Sequence, residues 1–181
     1  MKKLTMIASL VAACGFAGLA QAASTGVITF NGELTANTCD VVVDGQTADA
    51  LVKLPIIGIN QLTAATKTAG RTGFNMALKN CAGTLKTASA FFEAGASVDL
   101  ASGRLKNMTG TATNVDLQLR DGSSAGETVI VAGNQSQRTS TTYVNVESGT
   151  ANLPYSVEYY AKGATTAGTV VSSVVYSIQY K

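Results

Sequence analysis

The chain has 181 residues, with 13 Lys and Arg against 11 Asp and Glu, no histidine and no tryptophan. Without histidine it lacks the usual near-neutral acid and base, and a serine or cysteine nucleophile would have no imidazole partner. The acidic residues are scattered and form no carboxylate pair with a catalytic spacing, and no basic cluster is present to bind nucleic-acid phosphates. The composition therefore argues against an enzyme, a cofactor and a nucleic-acid partner.

The first 22 residues have the features of a secretory signal peptide. Lys2 and Lys3 give a positive start, an uncharged and mostly apolar stretch runs from Leu4 to Leu19, and Ala20-Gln21-Ala22 is a small-x-small site. This combination predicts cleavage after Ala22. We expect a single mature domain over residues 23–181, in which eleven basic residues face eleven acidic ones, because Lys2 and Lys3 leave with the signal.

Two other interpretations of the first segment remain open. It could anchor the chain in a membrane, although glycines interrupt it and no basic residues flank its far side. It could also carry a lipid on Cys14, because Val11-Ala12-Ala13-Cys14 loosely resembles a lipoprotein box, but the apolar run continues through Phe16 and Leu19. We expect that the mature chain does not insert into a membrane.

Two cysteines, Cys39 and Cys81, remain after cleavage. An even pair in a chain sent to an oxidising compartment is expected to form a disulfide. Closing a loop of roughly 40 residues would restrict the unfolded chain by about 4 kcal/mol. The alternatives are two free buried thiols or a zinc site, and the second would lack the histidines that usually complete such a ligand set.

Apolar residues recur at period two along the mature chain, and Thr, Val, Ser, Ala and Gly dominate, which favours strands over helices. Turn signals such as Asp44-Gly45 and Asp121-Gly122 separate several segments. The candidate strands are Val27 to Ala36, Cys39 to Val43, Ala50 to Ile57, Gly73 to Asn80, Thr87 to Glu93, Asn114 to Arg120, Glu127 to Val131, Thr141 to Val146, Leu153 to Ala161 and Val170 to Tyr180. Ten short strands predict an all-β sandwich, with one helical turn at most between Asn60 and Ala69.

The first and last candidate strands alternate with unusual regularity. One face of the first strand carries Ile28, Phe30, Gly32, Leu34 and Ala36. One face of the last strand carries Val174, Tyr176, Ile178 and Tyr180. These segments could be the outer strands of a complete sandwich, or one of them could pair with another chain at an exposed sheet edge. Periodicity alone does not choose between the two.

Several motifs, in this order and spacing, resemble those of type 1-like fimbrial subunits of the chaperone-usher pathway, particularly the major pilins. They are Gly26 to Leu34 leading to Cys39, the strand Gly73 to Cys81, Thr113-Asn114-Val115, and Tyr159 to Ala164 running to Gly168. The family ends with a penultimate tyrosine and a glycine fourteenth from the C-terminus, and Tyr180 and Gly168 occupy these two positions. The resemblance covers essentially the whole mature chain.

The resemblance implies an incomplete immunoglobulin-like β-sandwich that is completed by a donor strand from a neighbouring subunit. The donor segment would be 23–36, with Ile28, Phe30, Gly32, Leu34 and Ala36 pointing into the neighbour. Gly32 would pass over a shallow point of the groove. The acceptor groove and the surface recognised by a chaperone would include Gly168, Val174, Tyr176, Ile178, Tyr180 and the Lys181 carboxylate.

The expected partners are identical or related pilin subunits, a periplasmic chaperone and an outer-membrane usher. The chain would be exported to the periplasm and end in an extracellular fimbria on the bacterial surface, where it supports adhesion to surfaces or host cells. The alternative from another functional class is a self-contained secreted β-sandwich that binds a ligand.

Overall fold

The structure, a computed structural model, describes residues 26–32, 34, 36 and 38–181. The predicted signal peptide, its cleavage site and five positions of the predicted donor segment 23–36 lie outside the described residues. The chain divides into two units, Met1–Glu33 and Leu34–Lys181. In the first unit, residues 26–32 form neither helix nor strand, and the apolar side chains of Val27, Ile28 and Phe30 are largely exposed to solvent.

The described part of the second unit is built from strands. In chain order they are β1 (Thr38–Val43), β2 (Thr68–Ala82), β3 (Thr87–Phe92), β4 (Val98–Asp99), β5 (Arg104–Lys106), β6 (Val115–Asp121), β7 (Val129–Ile130), β8 (Val144–Asn145), β9 (Ala151–Ala161) and β10 (Tyr176–Tyr180). A 3-10 turn at Ile59–Gln61 and the one-turn helix α1 (Gln137–Ser140) complete the list. The all-β prediction is confirmed. None of the described helices is long and apolar enough to cross a membrane.

The strands form two antiparallel sheets. The larger has the order β1-β2-β9-β6-β5-β4, with β7 pairing β6 beyond the end of β5. The smaller has the order β10-β3-β8. The strands predicted around β2, β3, β6 and β9 are present, whereas β4 and β5 were not predicted because two or three residues are too few to show alternation.

The core lies between the inner faces of the two sheets, where alternation places every second side chain. Met76 of β2, Leu119 of β6 and Leu153 of β9 are almost completely buried on one side, and Phe92 of β3 on the other. The rings of Phe92 and Tyr155 meet edge to face with centroids 5.2 Å apart, an arrangement that aromatic pairs favour.

The predicted disulfide between Cys39 and Cys81 is present and joins β1 to β2. The two cysteines are 42 positions apart in the sequence, so the bond restricts the unfolded chain by about 4 kcal/mol in the loop-entropy model. The two-thiol alternative is therefore wrong. The disulfide holds β1 at the edge of the large sheet. The chain continues from β1 into residues 48–57.

The outer face of the large sheet carries a buried carboxylate, Glu158, that ties three strands together. It accepts hydrogen bonds from Nε of Arg71 at 2.9 Å, Nε2 of Gln118 at 2.9 Å and Nε of Arg120 at 2.6 Å. Burial alone would raise the pKa of the Glu158 carboxyl, but these hydrogen bonds outweigh burial and the pKa is lowered. The charged form therefore stabilises the fold across β2, β6 and β9.

The edge of β3 that faces away from β10 is covered by other parts of the chain. Strand β8 pairs with only two residues of β3, and side chains cover the rest. The hydroxyl of Tyr155 accepts a hydrogen bond from the Ala90 amide at 2.9 Å. The side-chain amide of Gln137 accepts from the Phe92 N–H at 2.9 Å and donates to the Phe92 carbonyl at 3.0 Å. The Gln137 side chain thus takes the place of a neighbouring strand. The backbone groups of Ala90 and Phe92 at this edge find their hydrogen-bond partners within the chain.

The substitution Glu158→Gln tests the charged network. A lowered pKa in the folded state means that Glu158 contributes stability above its ordinary value near 4.5 and loses it as pH falls through the folded value. We expect the variant to be less stable at pH 7 by about 1.5 to 3 kcal/mol, since charged hydrogen bonds are lost. The deficit should shrink below pH 4.5 in urea unfolding curves. Glu147→Gln, at an exposed pair with Lys86, is the matched control and should change little; an equal effect of both would contradict this role.

The substitution Gln137→Leu tests the covered edge. It leaves the buried N–H of Phe92 without a partner, whereas the Phe92 carbonyl keeps its bond from the Gly133 amide at 2.8 Å. One such unpaired group costs about 1–3 kcal/mol. The free energy of unfolding should therefore fall by about 1 to 3 kcal/mol, measured by chemical denaturation of the full chain. Gln135→Leu is the control, because Gln135 lies exposed two residues earlier. A Gln137 variant as stable as the control would show that the side chain does not replace a strand.

Candidate functional site

The backbone of the last segment of the chain, from residue 169 to 181, bonds to the rest of the fold on one side only. The backbone groups of its odd-numbered residues make these bonds. Their partners include the amides of Ala112, Met108 and Glu93, the side chains of Ser97 and Asn107, and strand β3. At the end of the segment, Lys181 and Thr87 exchange both backbone hydrogen bonds, at 2.9 and 3.0 Å.

The even-numbered residues of this segment present their backbone groups to the opposite side. This follows from the alternation of an antiparallel strand, in which neighbouring residues direct their N–H and C=O groups to opposite edges. Among the described residues, no strand pairs with that edge of β10. The residues concerned are Val170, Ser172, Val174, Tyr176, Ile178 and Tyr180, and all six are half-buried. An open edge of backbone donors and acceptors therefore runs the length of the segment.

A second extended segment, residues 48–54, lies across from this edge. The Gln46 side chain bonds both the N–H and the C=O of Leu51 at 3.2 Å, and Val52 and Leu54 are half-buried. The prediction of a strand from Ala50 to Ile57 is wrong, because the segment shows strand-like alternation but pairs with no described strand. The predicted strand from Val170 shortens to Tyr176–Tyr180 because residues 170–175 are tied to loops and side chains instead of a neighbouring strand.

An apolar groove separates the two segments. It encloses a cavity of about 450 Å³, and its floor includes Met76, Leu117, Leu119 and Val157 of the large sheet and Phe92 of the small sheet. The groove thus exposes the core of the sandwich between two unpaired stretches of backbone. Such a surface can accept an extended peptide that supplies apolar side chains and main-chain hydrogen bonds together.

Two tyrosines reach across from β10 towards the beginning of the second unit. The Tyr176 hydroxyl donates to the Ala48 carbonyl at 2.8 Å, and the Tyr180 hydroxyl forms a hydrogen bond with the Cys39 backbone. Burial raises the pKa of both hydroxyls; the charge of Asp49 adds to the rise at Tyr176, and the bond with Cys39 opposes it at Tyr180. Both tyrosines therefore remain neutral hydrogen-bonding groups at neutral pH.

The C-terminal residue is held at the far end of the open edge. The Lys181 main-chain oxygen accepts from the amides of Lys86 at 2.8 Å and Thr87 at 3.0 Å. Its ammonium group donates to the Arg138 carbonyl at 2.8 Å and lies 3.7 Å from the centre of the Tyr143 ring. These contacts fix the end of β10, and with it the register of the whole edge.

The predicted acceptor residues of the last strand differ in their place. Val174 and Tyr176 line the cavity of the groove, and Ile178 and Tyr180 are half-buried residues further along β10. Gly168 lies against the loop at 111–112 instead, where an added Cβ would approach the Ala112 nitrogen to 2.5 Å, so its described role is close packing. In the predicted donor strand, Leu34 and Ala36 are exposed, as are Ile28, Phe30 and Gly32 of the first unit.

Sequence reasoning missed two parts of the site. The first is the opposite wall, because the absence of a partner strand leaves no local trace in residues 48–54. The second is Asn107, which anchors the start of the acceptor wall: its Oδ1 accepts from the Val171 amide at 2.8 Å, and its Nδ2 donates to the Ala112 and Thr169 carbonyls at 2.8 and 3.2 Å. No spacing rule would have linked Asn107 to residues more than sixty positions away.

Comparisons with known proteins agree with this geometry. A family model described as type-1 fimbrial protein, A matches residues 54–181. The major fimbrial subunit SMF-1 of Stenotrophomonas maltophilia is 42% identical over 91% of this chain and 97% of its own length. The type-1 fimbrial protein A chain of Escherichia coli is 28% identical over 86% of this chain and 83% of its own.

The fold also matches a solved pilin. The crystal structure of the P pilus rod subunit PapA superposes with a TM-score of 0.60 and 15% identity, covering 79% of this chain and 99% of PapA. The immunoglobulin-like fold of pilin subunits is therefore the fold of this chain, and the family is one of structural subunits that assemble with other pilins. The chain belongs to the type-1 fimbrial protein family and is a structural subunit of a fimbria.

Proposed function

We propose that the subunit polymerises by donor-strand complementation, in which residues 27–36 of one copy fill the groove of the next. The observation that carries the proposal is the open backbone edge from Val170 to Tyr180, set above an apolar groove that exposes the core. One added strand would pair with this edge and cover the groove at the same time. The immunoglobulin-like sandwich is then incomplete in the free chain and complete in the fibre.

The donor segment suits the groove in length and in chemistry. From Ile28 to Ala36 it spans nine residues, about 30 Å when extended, and the open edge from Val170 to Tyr180 spans about 35 Å. In the free chain Ile28, Phe30 and Leu34 are 78, 88 and 102% exposed. Burying each of these side chains would contribute about 1.5 to 3 kcal/mol, before the cost of ordering the segment.

Before assembly, the open edge and groove need protection. An unpaired edge beside an apolar surface is a site of aggregation, so a periplasmic chaperone fills the groove with its own strand until the next subunit arrives. Its recognition surface includes the wall from Val174 to Tyr180 and the Lys181 carboxylate at the end of that wall. An outer-membrane usher then exchanges the chaperone for the donor strand of the next subunit.

The route to the cell surface begins with the segment 1–22, which acts as a signal peptide and leaves a single pilin domain over residues 23–181, with 23–36 as its donor segment. The chain passes through the periplasm and ends in an extracellular fimbria that supports adhesion to surfaces or host cells. Family membership and the open groove both favour this role over a self-contained ligand-binding module.

A single-chain variant tests donor-strand complementation. A copy of residues 26–36 is added after Lys181 through a short flexible linker, so that it can fold back beside β10 as a hairpin. We expect a monomer that no longer polymerises and that unfolds at a higher temperature than the parent chain, because its own groove is filled. Size-exclusion chromatography and thermal unfolding measure both effects.

The control for this variant carries the same linker and extension, with serine at the three large apolar positions of the added copy. It should polymerise like the parent and gain no stability. If the control were as monomeric and as stable as the apolar version, the extension would act through something other than filling the groove, and the donor-strand proposal would fail.

A further inference from the structure

The exposed N-terminal segment contains an asparagine followed directly by a glycine. Asn31 and Gly32 are both exposed to solvent, within the stretch 26–32 that forms neither helix nor strand. A Cβ added to Gly32 would meet no atom within 4 Å apart from its chain neighbours. The main chain at this pair is therefore open on its described surroundings, and glycine leaves it free to take up most backbone angles.

An asparagine in this setting can react with its own main chain. The Gly32 backbone nitrogen attacks Cγ of Asn31; the new N–Cγ bond forms and the Cγ–Nδ2 bond breaks, while Nδ2 takes up the proton lost by the backbone nitrogen and leaves as ammonia. Water then opens the cyclic imide. Opening at Cγ gives aspartate, and opening at the main-chain carbonyl gives isoaspartate, in which the main chain runs through the former side chain. The reaction consumes only water.

The other asparagines of the chain are poor candidates for this reaction. No other asparagine in the sequence precedes glycine, and a side chain on the following residue hinders the approach of its nitrogen. Several are also held by hydrogen bonds: the side-chain amides of Asn75 and Asn80 in β2 donate to Asn152 and Asp40 at 2.8 and 2.7 Å. The combination of sequence and exposure is therefore specific to Asn31.

We propose that Asn31-Gly32 is a deamidation site that limits how long an unassembled subunit can act as a donor. The inference rests on the proposed donor-strand function and assigns a chemical modification to its donor segment. Isoaspartate lengthens the main chain by a carbon atom between Phe30 and Leu34, so these side chains no longer share one face in one register. The modified segment loses its ability to fill a groove, whereas the groove of the same subunit is unchanged.

Pairing in the fibre should protect the same two residues. Ring closure requires a rotation that brings the Gly32 nitrogen to Cγ of Asn31, but a paired strand holds its residues extended, with ψ near about +135°. The reaction must then wait until the strand opens locally. Each increment of about 1.4 kcal/mol in the free energy of opening slows it tenfold. Assembly would therefore preserve the donor segment that waiting destroys.

The single-chain variant with residues 26–36 added after Lys181 offers the pair in both states within one molecule. Its native segment is free, and its added copy is paired in its own groove. The purified variant is aged at neutral pH, and peptide mapping by mass spectrometry measures isoaspartate in each copy, which the different flanking sequences distinguish. We expect at least about tenfold more isoaspartate in the native segment than in the added copy.

A second measurement follows the loss of donor function. The labelled single-chain variant is mixed with the wild-type chain before and after ageing, and the label that enters the fibres is counted after sedimentation. Entry should fall in proportion to the isoaspartate in the native segment. The matched control carries Asn31→Gln in the native segment, because glutamine forms the corresponding ring much more slowly. Compared with its own unaged sample, the control should lose no entry.

The two proposals fail in different ways. Little isoaspartate in the native segment, or equal amounts in both copies of a variant that is monomeric and stabilised, would overturn the assignment of the site or its protection. Undiminished entry of the isoaspartate form, or equal loss by the Asn31→Gln control, would overturn its effect on the donor. If the unaged variant did not enter wild-type fibres at all, the donor-strand function itself would fail.

Discussion

The unpaired backbone edge of residues 170–180 is the constraint on which the rest of the structure depends. Six alternate residues direct an N–H and a C=O towards a space that no described strand fills. While the groove is open these groups can bond only to water, and covering them without supplying partners would cost free energy comparable to a lost hydrogen bond each. A chain with such an edge beside its exposed core reaches its lowest free energy only when another strand is supplied.

Other parts of the fold hold this edge in place and cover the far edge of the small sheet, where a strand could otherwise pair. Gln137 and Tyr155 cover the far edge of β3, so pairing by the small sheet is left to the groove side of β10. Asn107 anchors the start of the wall, and the backbone of Thr87 anchors its end. The disulfide at Cys39 fixes β1, which leads into the opposite wall. The groove is therefore a preformed site whose two walls are held by separate parts of the fold.

The sequence predicted what is local and missed what depends on a partner. Alternation and turn residues predicted β2, β3, β6 and β9 and the all-β class, and an even cysteine pair predicted the disulfide. The same alternation wrongly predicted a strand over 50–57, because a strand also requires a neighbour, and the sequence of one segment does not report on that. For the same reason periodicity alone could not distinguish the outer strands of a complete sandwich from a donor and an acceptor.

Amide hydrogen exchange tests the central claim most directly, because it reports on the edge residue by residue. In the free subunit, the amides of Ser172, Val174, Tyr176, Ile178 and Tyr180 should exchange quickly, while those of Ser177, Gln179 and Lys181, which face β3, should be protected. In assembled fibres the first set should become protected as well, and the second should stay so. If the even-numbered amides exchanged equally fast before and after assembly, no strand would fill the groove, and the account of this subunit would be contradicted.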